Sequence, residues 1–345
     1  MLRIITTLFL ILITLKTSGA VVLQYHHVSS TTPRITSITK EEFAQHMAYL
    51  HEQKFNVIPI ETLTRQLALG EPIKDRTIII TFDDAYIDML DNAMPILTKY
   101  QFPATIFVAT SLVGSSKQYL NWAQLRSLQA RGITMANHTV SHTHLLRQND
   151  NETVNGWRER IAAEINNAQK ALDKNLGDTE KIFAYPYGEY NAAVVGIIRD
   201  LGYVAFGQQS GALGTTSDPA LLPRFPLSGV YTDFSSFKTK IMTLPLPVSN
   251  DFVDPLLTLE NKRPPLHMKL LDSDLSLKAI TCFGPGGPTK IHQLGSQEII
   301  ATAVQDVPVG RSRYNCTLRD HSGRYFWYSQ SWIRKKPDNT WYAEP

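Results

Sequence analysis

The feature that most constrains the fold is an alternation of apolar segments with amphipathic ones, which extends from about residue 21 to residue 244. Val21–Tyr25 is apolar apart from one Gln, and Thr77–Thr81 consists of β-branched residues only, as is typical of buried parallel strands. Thr39 and Glu42 predict a capping box at the start of one of the intervening helices. The alternation predicts an α/β fold in which helices connect parallel strands, either a barrel or an open sheet.

A different pattern begins after the Pro-rich stretch Leu244–Pro247, which predicts a linker. The segments beyond it are short and strand-like, with Gly, Pro and Asp between them and no helical period. We therefore expect a small all-β, sandwich-like domain over residues 252–345. Both cysteines, Cys282 and Cys316, lie in this domain. In an exported protein they are expected to form a disulfide, and two free thiols are the alternative.

The N-terminus has the layout of a secretory signal peptide. Arg3 precedes the apolar run Ile4–Leu15, and Ser18 and Ala20 occupy the −3 and −1 positions of a cleavage site. We predict a signal peptide over residues 1–20 and an exported protein, periplasmic or extracellular, without a stable membrane anchor. The alternative is a retained anchor, but a spanning helix needs about 20 apolar residues. The formal net charge of +3 gives no electrostatic support to nucleic-acid binding.

Two adjacent carboxylates, Asp83 and Asp84, follow directly after the strand predicted over residues 77–81. In parallel α/β folds, reactive groups collect at the C-terminal ends of the strands. Two like charges held side by side repel each other, and a cation bound to one of them would relieve the repulsion. The alternative interpretation is an Asp that caps the next helix beside a solvated neighbour.

A group of histidines follows the strand predicted over residues 133–136. His138 and His142 are four residues apart, a spacing at which both imidazoles can reach one metal ion, whereas His144 is expected to lie outside the metal site. A surface His cluster is the alternative. Two His and one Asp would leave a position for water, as in catalytic zinc sites. The second Asp could accept a proton from that water, so the two motifs together predict hydrolysis of an amide or ester.

Three motifs in series resemble those of the polysaccharide deacetylase (NodB-homology) family. They are Thr81-Phe82-Asp83-Asp84, His138-Thr139-Val140-Ser141-His142 and Tyr185-Pro186-Tyr187-Gly188. The resemblance implies a distorted (β/α) barrel over about residues 21–247. It also implies particular roles for site residues: Asp84, His138 and His142 as metal ligands, Asp83 as the base, and the backbone N–H of Tyr187 as part of an oxyanion hole.

The chain departs from the family pattern at the start of the third motif. The family usually has an Arg there that orients the base, but this chain has Ala184. The segment Phe183–Gly188 is instead similar to the subgroup that acts on poly-β-1,6-N-acetylglucosamine. Arg224 is our candidate for the missing cation, and an ordinary surface Arg is the alternative.

A second departure concerns the general acid, because the Leu-x-His motif of the family does not occur near residues 230–250. A circularly permuted barrel, as in the poly-β-1,6-N-acetylglucosamine deacetylases, would put the first strand where the last one normally lies. That strand leads into His26 and His27. We expect His26 to be the acid and His27 to be the weaker candidate, since alternation turns only one of them towards the site. A core His bonded to backbone is the alternative.

The resemblance implies metal-dependent hydrolysis of N-acetyl groups from an N-acetylglucosamine-containing polysaccharide, with Asp83 as the base on a metal-bound water. Two imidazoles and one carboxylate suit Zn²⁺, although Ni²⁺ and Co²⁺ also fit. Tyr187 is expected to line the substrate site, and Tyr86 is a further candidate for contact with sugar; core packing is the alternative for both.

Other functions remain open on this scaffold. They are deacetylation of chitin oligomers or peptidoglycan, ester hydrolysis on xylan, and non-catalytic carbohydrate binding, which Ala184 would favour. The C-terminal domain could recruit a partner protein, but the sequence identifies none.

Overall fold

A computed structural model describes residues 18–249, 251–271 and 275–343. Most of the predicted signal peptide, residues 1–17, lies outside the described residues. None of the helices within the described ranges is long and apolar enough to cross a membrane.

A parallel sheet forms the first part of the fold. The strands of this part are β1 (Ala20–Tyr25), β2 (His27–Val28), β3 (Ser37–Ile38), β4 (Asn56–Val57), β5 (Thr77–Asp83), β6 (Ala104–Val108), β7 (Ile133–Asn137), β8 (Ile182–Ala184), β9 (Val204–Phe206) and β10 (Phe225–Pro226). Seven of them follow the order β10-β1-β5-β6-β7-β8-β9, and β4 pairs with the start of β5. β2 and β3 pair separately. The parallel sheet forms a half-barrel, which confirms the predicted distorted (β/α) barrel.

Helices connect and cover these strands. They are α1 (Lys40–Glu52), α2 (Ile60–Leu69), α3 (Met94–Tyr100), α4 (Trp122–Gln129), α5 (Val154–Leu176), α6 (Ala192–Asp200) and α7 (Phe234–Lys240). α1 begins with the capping box predicted from Thr39 and Glu42, in which each side chain accepts the other residue's backbone N–H. A π-helical turn, Met89–Ala93, leads into α3.

The position of β1 decides which side chains reach the catalytic edge of the sheet. β1 pairs in parallel with β5 on one side and with β10 on the other. Every residue of β1 and β5 is buried, because both faces of the sheet are covered. The C-terminal ends of β1 and β5 therefore lie side by side, next to those of β6 and β7.

The C-terminal part is all-β apart from one short 3₁₀ turn in its described residues. Its strands are β11 (Leu244–Pro245), β12 (Leu266–Lys269), β13 (Thr281–Gly284), β14 (Gly287–Pro288), β15 (Lys290–Gln293), β16 (Glu298–Thr302), β17 (Gly310–Arg319) and β18 (Tyr325–Arg334). They form two sheets, β11-β18-β17-β13-β14 and β12-β16-β15, which share one apolar core. The predicted disulfide is present between Cys282 of β13 and Cys316 of β17.

The prediction of a linker at residues 244–247 is wrong, because this segment belongs to the C-terminal core. Leu244 pairs with Phe326 of β18, and Leu244 and Leu246 are buried in the core that the two β-sheets share. Pro245 fits there because β11 is an edge strand, where a missing N–H disrupts no inner ladder. Leu244 and Pro245 are both buried, so this segment is enclosed and not exposed as a linker would be.

The two parts of the chain pack directly against each other. Ile333 of β18 and Tyr342 lie in the same apolar cluster as Tyr185 and Tyr190, which follow β8. The C-terminal part therefore covers the segment that carries the third sequence motif.

The buried side chain of His46 in α1 makes the stability of the fold depend on pH. This side chain is fully buried, hydrogen-bonds with Tyr25 and the carbonyl of Thr232, and stacks on Phe237 at 3.8 Å between ring centroids. Burial lowers the pKa of His46 to about 4. Below the ordinary His pKa of about 6.5 the unfolded chain takes up a proton at His46 that the folded chain does not. The free energy of unfolding therefore decreases as the pH falls from about 6.5 to about 4.

Lowering the pH from 7 to 5 should therefore cost the wild type about 2 kcal/mol more than it costs His46→Gln, which cannot take up that proton. Urea unfolding at the two pH values measures the difference. His321→Gln, at an exposed position, is the control and should behave as the wild type does. Equal pH dependence in the wild type and His46→Gln would contradict the prediction.

Candidate active site

Two buried carboxylates lie at the C-terminal end of β5. Asp83 is the last residue of the strand, and Asp84 begins the turn that follows. Asp84 and Ala85 both have positive φ, 71° and 57°, a conformation that non-Gly residues adopt at an energetic cost. This tight turn directs the two adjacent side chains to different neighbours.

Asp83 is surrounded by hydrogen-bond donors. Arg224 donates two hydrogen bonds to its carboxylate, at 2.7 and 2.9 Å, and Gln24 donates a third at 2.7 Å. His26 Nε2 lies 3.7 Å from Asp83 Oδ2. Burial alone would raise the pKa of Asp83, but Arg224, together with His26 and His138, outweighs burial and holds this pKa well below its ordinary value. Asp83 is therefore an anion at neutral pH.

Arg224, which directly precedes β10, is fully buried. Besides the two bonds to Asp83, its guanidinium donates to the carbonyl of Gly207 at 2.9 Å and to Thr81 Oγ1 at 3.2 Å. It also lies over the ring of Phe107. The alternative that Arg224 is an ordinary surface residue is wrong, because this planar group is enclosed and held in one orientation.

Asp84, His138 and His142 form a group that could hold a metal ion. Asp84 Oδ1 lies 3.5 Å from His138 Nε2 and 3.2 Å from His142 Nε2, and the three donor atoms lie within 4.8 Å of one another. Within the described ranges, Asp84 Oδ1 is buried and has no hydrogen-bond partner. Burial, with repulsion from Asp83, raises the pKa of Asp84 to about 6. A divalent cation would satisfy this buried oxygen, so the donor set fits one.

His138 is oriented by a second hydrogen bond. Its Nδ1 lies 2.8 Å from the carbonyl of Ala184, so Nδ1–H is the donor and Nε2 is left facing Asp84. Ala184, which stands where the family pattern usually has an Arg, thus contributes its backbone carbonyl to the site.

The loop between the two histidines is held in a strained conformation. Thr139 and His142 have φ values of 69° and 54°. Glu164 of α5 accepts the backbone N–H groups of Val140 and Ser141, at 3.1 and 3.0 Å. Glu164 could not be identified from the sequence, because it lies on a helix 23 residues beyond Ser141 and no local pattern connects the two.

Tyr187 lies beside His142, one of the candidate metal ligands, on the turn that follows β8. Its φ is 59°, and its ring meets that of His142 at 4.5 Å between centroids. Gly188 follows with a φ of 68°, and a Cβ at that position would lie 2.7 Å from the side chain of Gln208. Because Gly188 has no side chain, the turn can pass close to the segment that contains Gln208.

His26 and His27 point to different neighbours, as strand alternation predicts. His26 faces Asp83, and 21% of its side chain is exposed. His27 instead lies 2.6 Å from Asp88 and stacks on Tyr86 at 3.6 Å between centroids. Tyr86 is also hydrogen-bonded to Asp84. The residue that is a candidate for contact with sugar therefore lies next to Asp84.

Gln24 is a further site residue, and the sequence contains a signal for it. Gln24 is a polar residue inside an otherwise apolar strand, and it lies two positions before His26. Residues two apart on a strand share a face, so both side chains were candidates for the same site. In the structure both approach Asp83.

Residues 70–206 match the polysaccharide deacetylase family model. Among curated proteins, the chain is 28% identical over 204 residues to a putative polysaccharide deacetylase, YxkH, of Bacillus subtilis. That alignment covers 59% of this chain and 66% of YxkH, so the chain spans about two thirds of that relative. It is 25% identical over 233 residues to poly-β-1,6-N-acetyl-D-glucosamine N-deacetylase of Staphylococcus aureus, covering 62% of this chain and 80% of the relative.

Solved structures share the fold. The deacetylase PplD of Streptococcus pyogenes, solved in complex with acetate, superposes with a TM-score of 0.58 at 24% identity, covering 65% of this chain and 99% of PplD. IcaB from Ammonifex degensii has a TM-score of 0.58 at 22% identity, covering 65% and 97%. The chain thus contains a polysaccharide deacetylase domain and is homologous to the poly-β-1,6-N-acetylglucosamine deacetylases.

Proposed function

We propose that this protein is an exported, metal-dependent enzyme that removes N-acetyl groups from an N-acetylglucosamine-containing polysaccharide. This proposal rests mainly on the different surroundings of two adjacent carboxylates, Asp83 and Asp84. Asp83 is paired with a buried guanidinium, whereas Asp84 faces two imidazoles and has an unsatisfied buried oxygen. Asp83 is thereby held ionised and in one orientation, as a general base must be, and Asp84 is left to bind a cation.

Asp84, His138 and His142 would hold the metal ion. Their two imidazole nitrogens and one carboxylate oxygen suit Zn²⁺ best, and Ni²⁺ or Co²⁺ also fit this donor set. When bound, such an ion acidifies water and polarises the carbonyl oxygen of an acetyl group. The bond from His138 to the carbonyl of Ala184 keeps the Nε2 lone pair available to the ion.

Asp83 would act as the general base, taking a proton from the water that attacks the acetyl carbonyl. Arg224 and Gln24 fix the orientation of its carboxylate, and Arg224 keeps it anionic. Arg224 therefore does what the missing Arg at position 184 does in the family pattern. The presence of Ala184 consequently gives no support to a non-catalytic, sugar-binding role.

His26 would donate the proton to the amine that leaves. It lies beside Asp83 at the mouth of the site, and part of its ring is exposed, so a substrate nitrogen could reach it. His27 is the weaker candidate because Asp88 and Tyr86 hold it away from Asp83. The backbone N–H of Tyr187 would stabilise the oxyanion, and Tyr86 would contact the sugar.

The substrate and location follow from more indirect support. The Staphylococcus aureus relative is named for activity on poly-β-1,6-N-acetyl-D-glucosamine, so we propose a β-1,6-linked polymer. The predicted signal peptide, residues 1–20, and the disulfide between Cys282 and Cys316 support export to an oxidising compartment. We assign catalysis to the domain predicted over residues 21–247, except that Leu244–Pro247 join the β domain predicted over residues 252–345.

Acetate release from β-1,6- and β-1,4-linked N-acetylglucosamine oligomers tests this function. We expect release from the β-1,6 oligomers, complete loss on treatment with a chelator, and recovery when Zn²⁺ is added back. Acetylated xylan is the control for an esterase. Release that is indifferent to the chelator would reject the metal-dependent mechanism, and release from xylan alone would reject the substrate.

A further inference from the structure

A buried carboxylate connects the C-terminal β domain to the turn that bears Tyr187. Glu189 is fully buried, and its Oε2 lies 2.9 Å from His144 Nδ1. Its other oxygen accepts a hydrogen bond from Arg311 of β17 at 3.1 Å and one from the hydroxyl of Tyr342. A buried charge is stable only when it is paired in this way. We call these four residues, together with Tyr187, the Glu189 cluster.

Two members of the Glu189 cluster hold the ring of Tyr187. His144 stacks on that ring with 3.9 Å between centroids and 8° between planes. The guanidinium of Arg311 lies 5.4 Å from the ring centroid, within the range of a cation–π interaction. Because Glu189 binds both His144 and Arg311, it fixes the two groups that contact Tyr187.

The turn itself needs this support. Tyr187 and Gly188 are both in left-handed conformations, and such strain persists only where the surroundings hold it. Arg313, two residues after Arg311 on β17, donates to the carbonyl of Gln208, and Gln208 packs on Gly188. The same strand therefore contacts the turn directly through Arg311 and indirectly through Gln208.

We propose that the C-terminal β domain completes the active site, with Arg311 and Tyr342 acting as positioning residues for Tyr187 through Glu189. The inference rests on the proposed function, in which Tyr187 stabilises the oxyanion, and it adds that catalysis needs both domains. Neither Arg311 nor Tyr342 has to touch the substrate for this role. Small displacements of a positioned group lower catalysis strongly, because the donor must meet the oxyanion that forms.

Hydrogen exchange tests the positioning without relying on activity. The amides of Gly188 and Glu189 donate to the carbonyls of Tyr185 and Pro186, so their exchange rates report opening of this turn. In the full-length protein, Arg311→Ala and the milder Tyr342→Phe should speed this exchange about tenfold. Arg319→Ala, at an exposed position on the same strand, is the matched control and should leave it unchanged.

Kinetics then separate positioning from general damage. Arg311→Ala should lower kcat for acetate release about tenfold with KM within about twofold, while the bound metal stays at wild-type content. Arg311→Lys should restore most of kcat, since an ammonium can still pair with Glu189. Unchanged exchange in both Arg311→Ala and Tyr342→Phe would overturn the proposal, as would faster exchange with unchanged kcat. If the wild type releases no acetate at all, the proposed function fails, and the exchange comparison still decides whether β17 holds the turn.

Discussion

Asp83→Asn should lower the rate of acetate release about a thousandfold, the largest loss of activity that we expect from a single isosteric change. The amide keeps the shape of the side chain, and its single oxygen can still accept from Arg224 Nη2 and Gln24 while its NH2 group replaces the oxygen that accepts from Arg224 Nη1. It cannot take a proton from water at neutral pH. Asp84, His138 and His142 are untouched, so the purified variant should keep its metal. Initial rates and elemental analysis of the same preparation measure both effects.

Asp91→Asn is the matched control, because Asp91 is an exposed carboxylate eight residues further along the chain. It should retain wild-type rates. Far-UV circular dichroism shows whether each variant is folded, since Asp83→Asn leaves the charge of Arg224 without its anion. A folded, metal-loaded Asp83→Asn protein that turns over at the wild-type rate would exclude Asp83 as the base.

Arg224→Met should lower the free energy of unfolding by about 3–5 kcal/mol. The substitution removes the charge that pairs with Asp83 and leaves a carboxylate buried with Gln24 as its remaining direct hydrogen-bond donor in the described structure. The pKa of Asp83 should then rise, because burial is no longer offset by the guanidinium. Urea unfolding at pH 7 measures the loss in stability.

Two comparisons sharpen this test. Arg34→Met removes a half-exposed ion pair with Glu42 and should cost less than about 1 kcal/mol. The double variant Asp83→Asn/Arg224→Met removes both buried charges and should be more stable than Arg224→Met alone. Equal losses for Arg224→Met and Arg34→Met would mean that the buried pair contributes no more than a surface one.

The centre of the site could be predicted because its motifs are local. Asp83 and Asp84 end one predicted strand, and His138 and His142 follow another, so the general topology of parallel α/β folds brings them to one edge. Their joint placement needed no knowledge of side-chain packing. The sequence could not say which oxygen of Asp84 faces the imidazoles, because that depends on the left-handed turn after β5.

The burial of Arg224 could not be predicted from local motifs. Arg224 was a candidate only because the resemblance leaves a cation missing at Ala184, and nothing next to it in the sequence distinguishes a buried Arg from a surface one. Its partner Asp83 is 141 residues away. Such a pair becomes visible only when β10 is placed beside β1 in the sheet.

The contribution of the C-terminal domain could not be predicted at all. Glu189 meets Arg311 across 122 residues and Tyr342 across 153, between segments with unrelated patterns. The prolines at positions 245 and 247 predict a linker between the domains, but Leu244 and Leu246 are buried in the C-terminal core.

Crystals of the purified protein, measured just above and just below the zinc absorption edge, test most directly the claim that Asp84, His138 and His142 hold a metal ion. We expect one anomalous peak, present above the edge only, at the point shared by Asp84, His138 and His142, and no peak there in His138→Ala/His142→Ala. A metal bound elsewhere in the protein, or a fully active protein with no ion at that point, would contradict it.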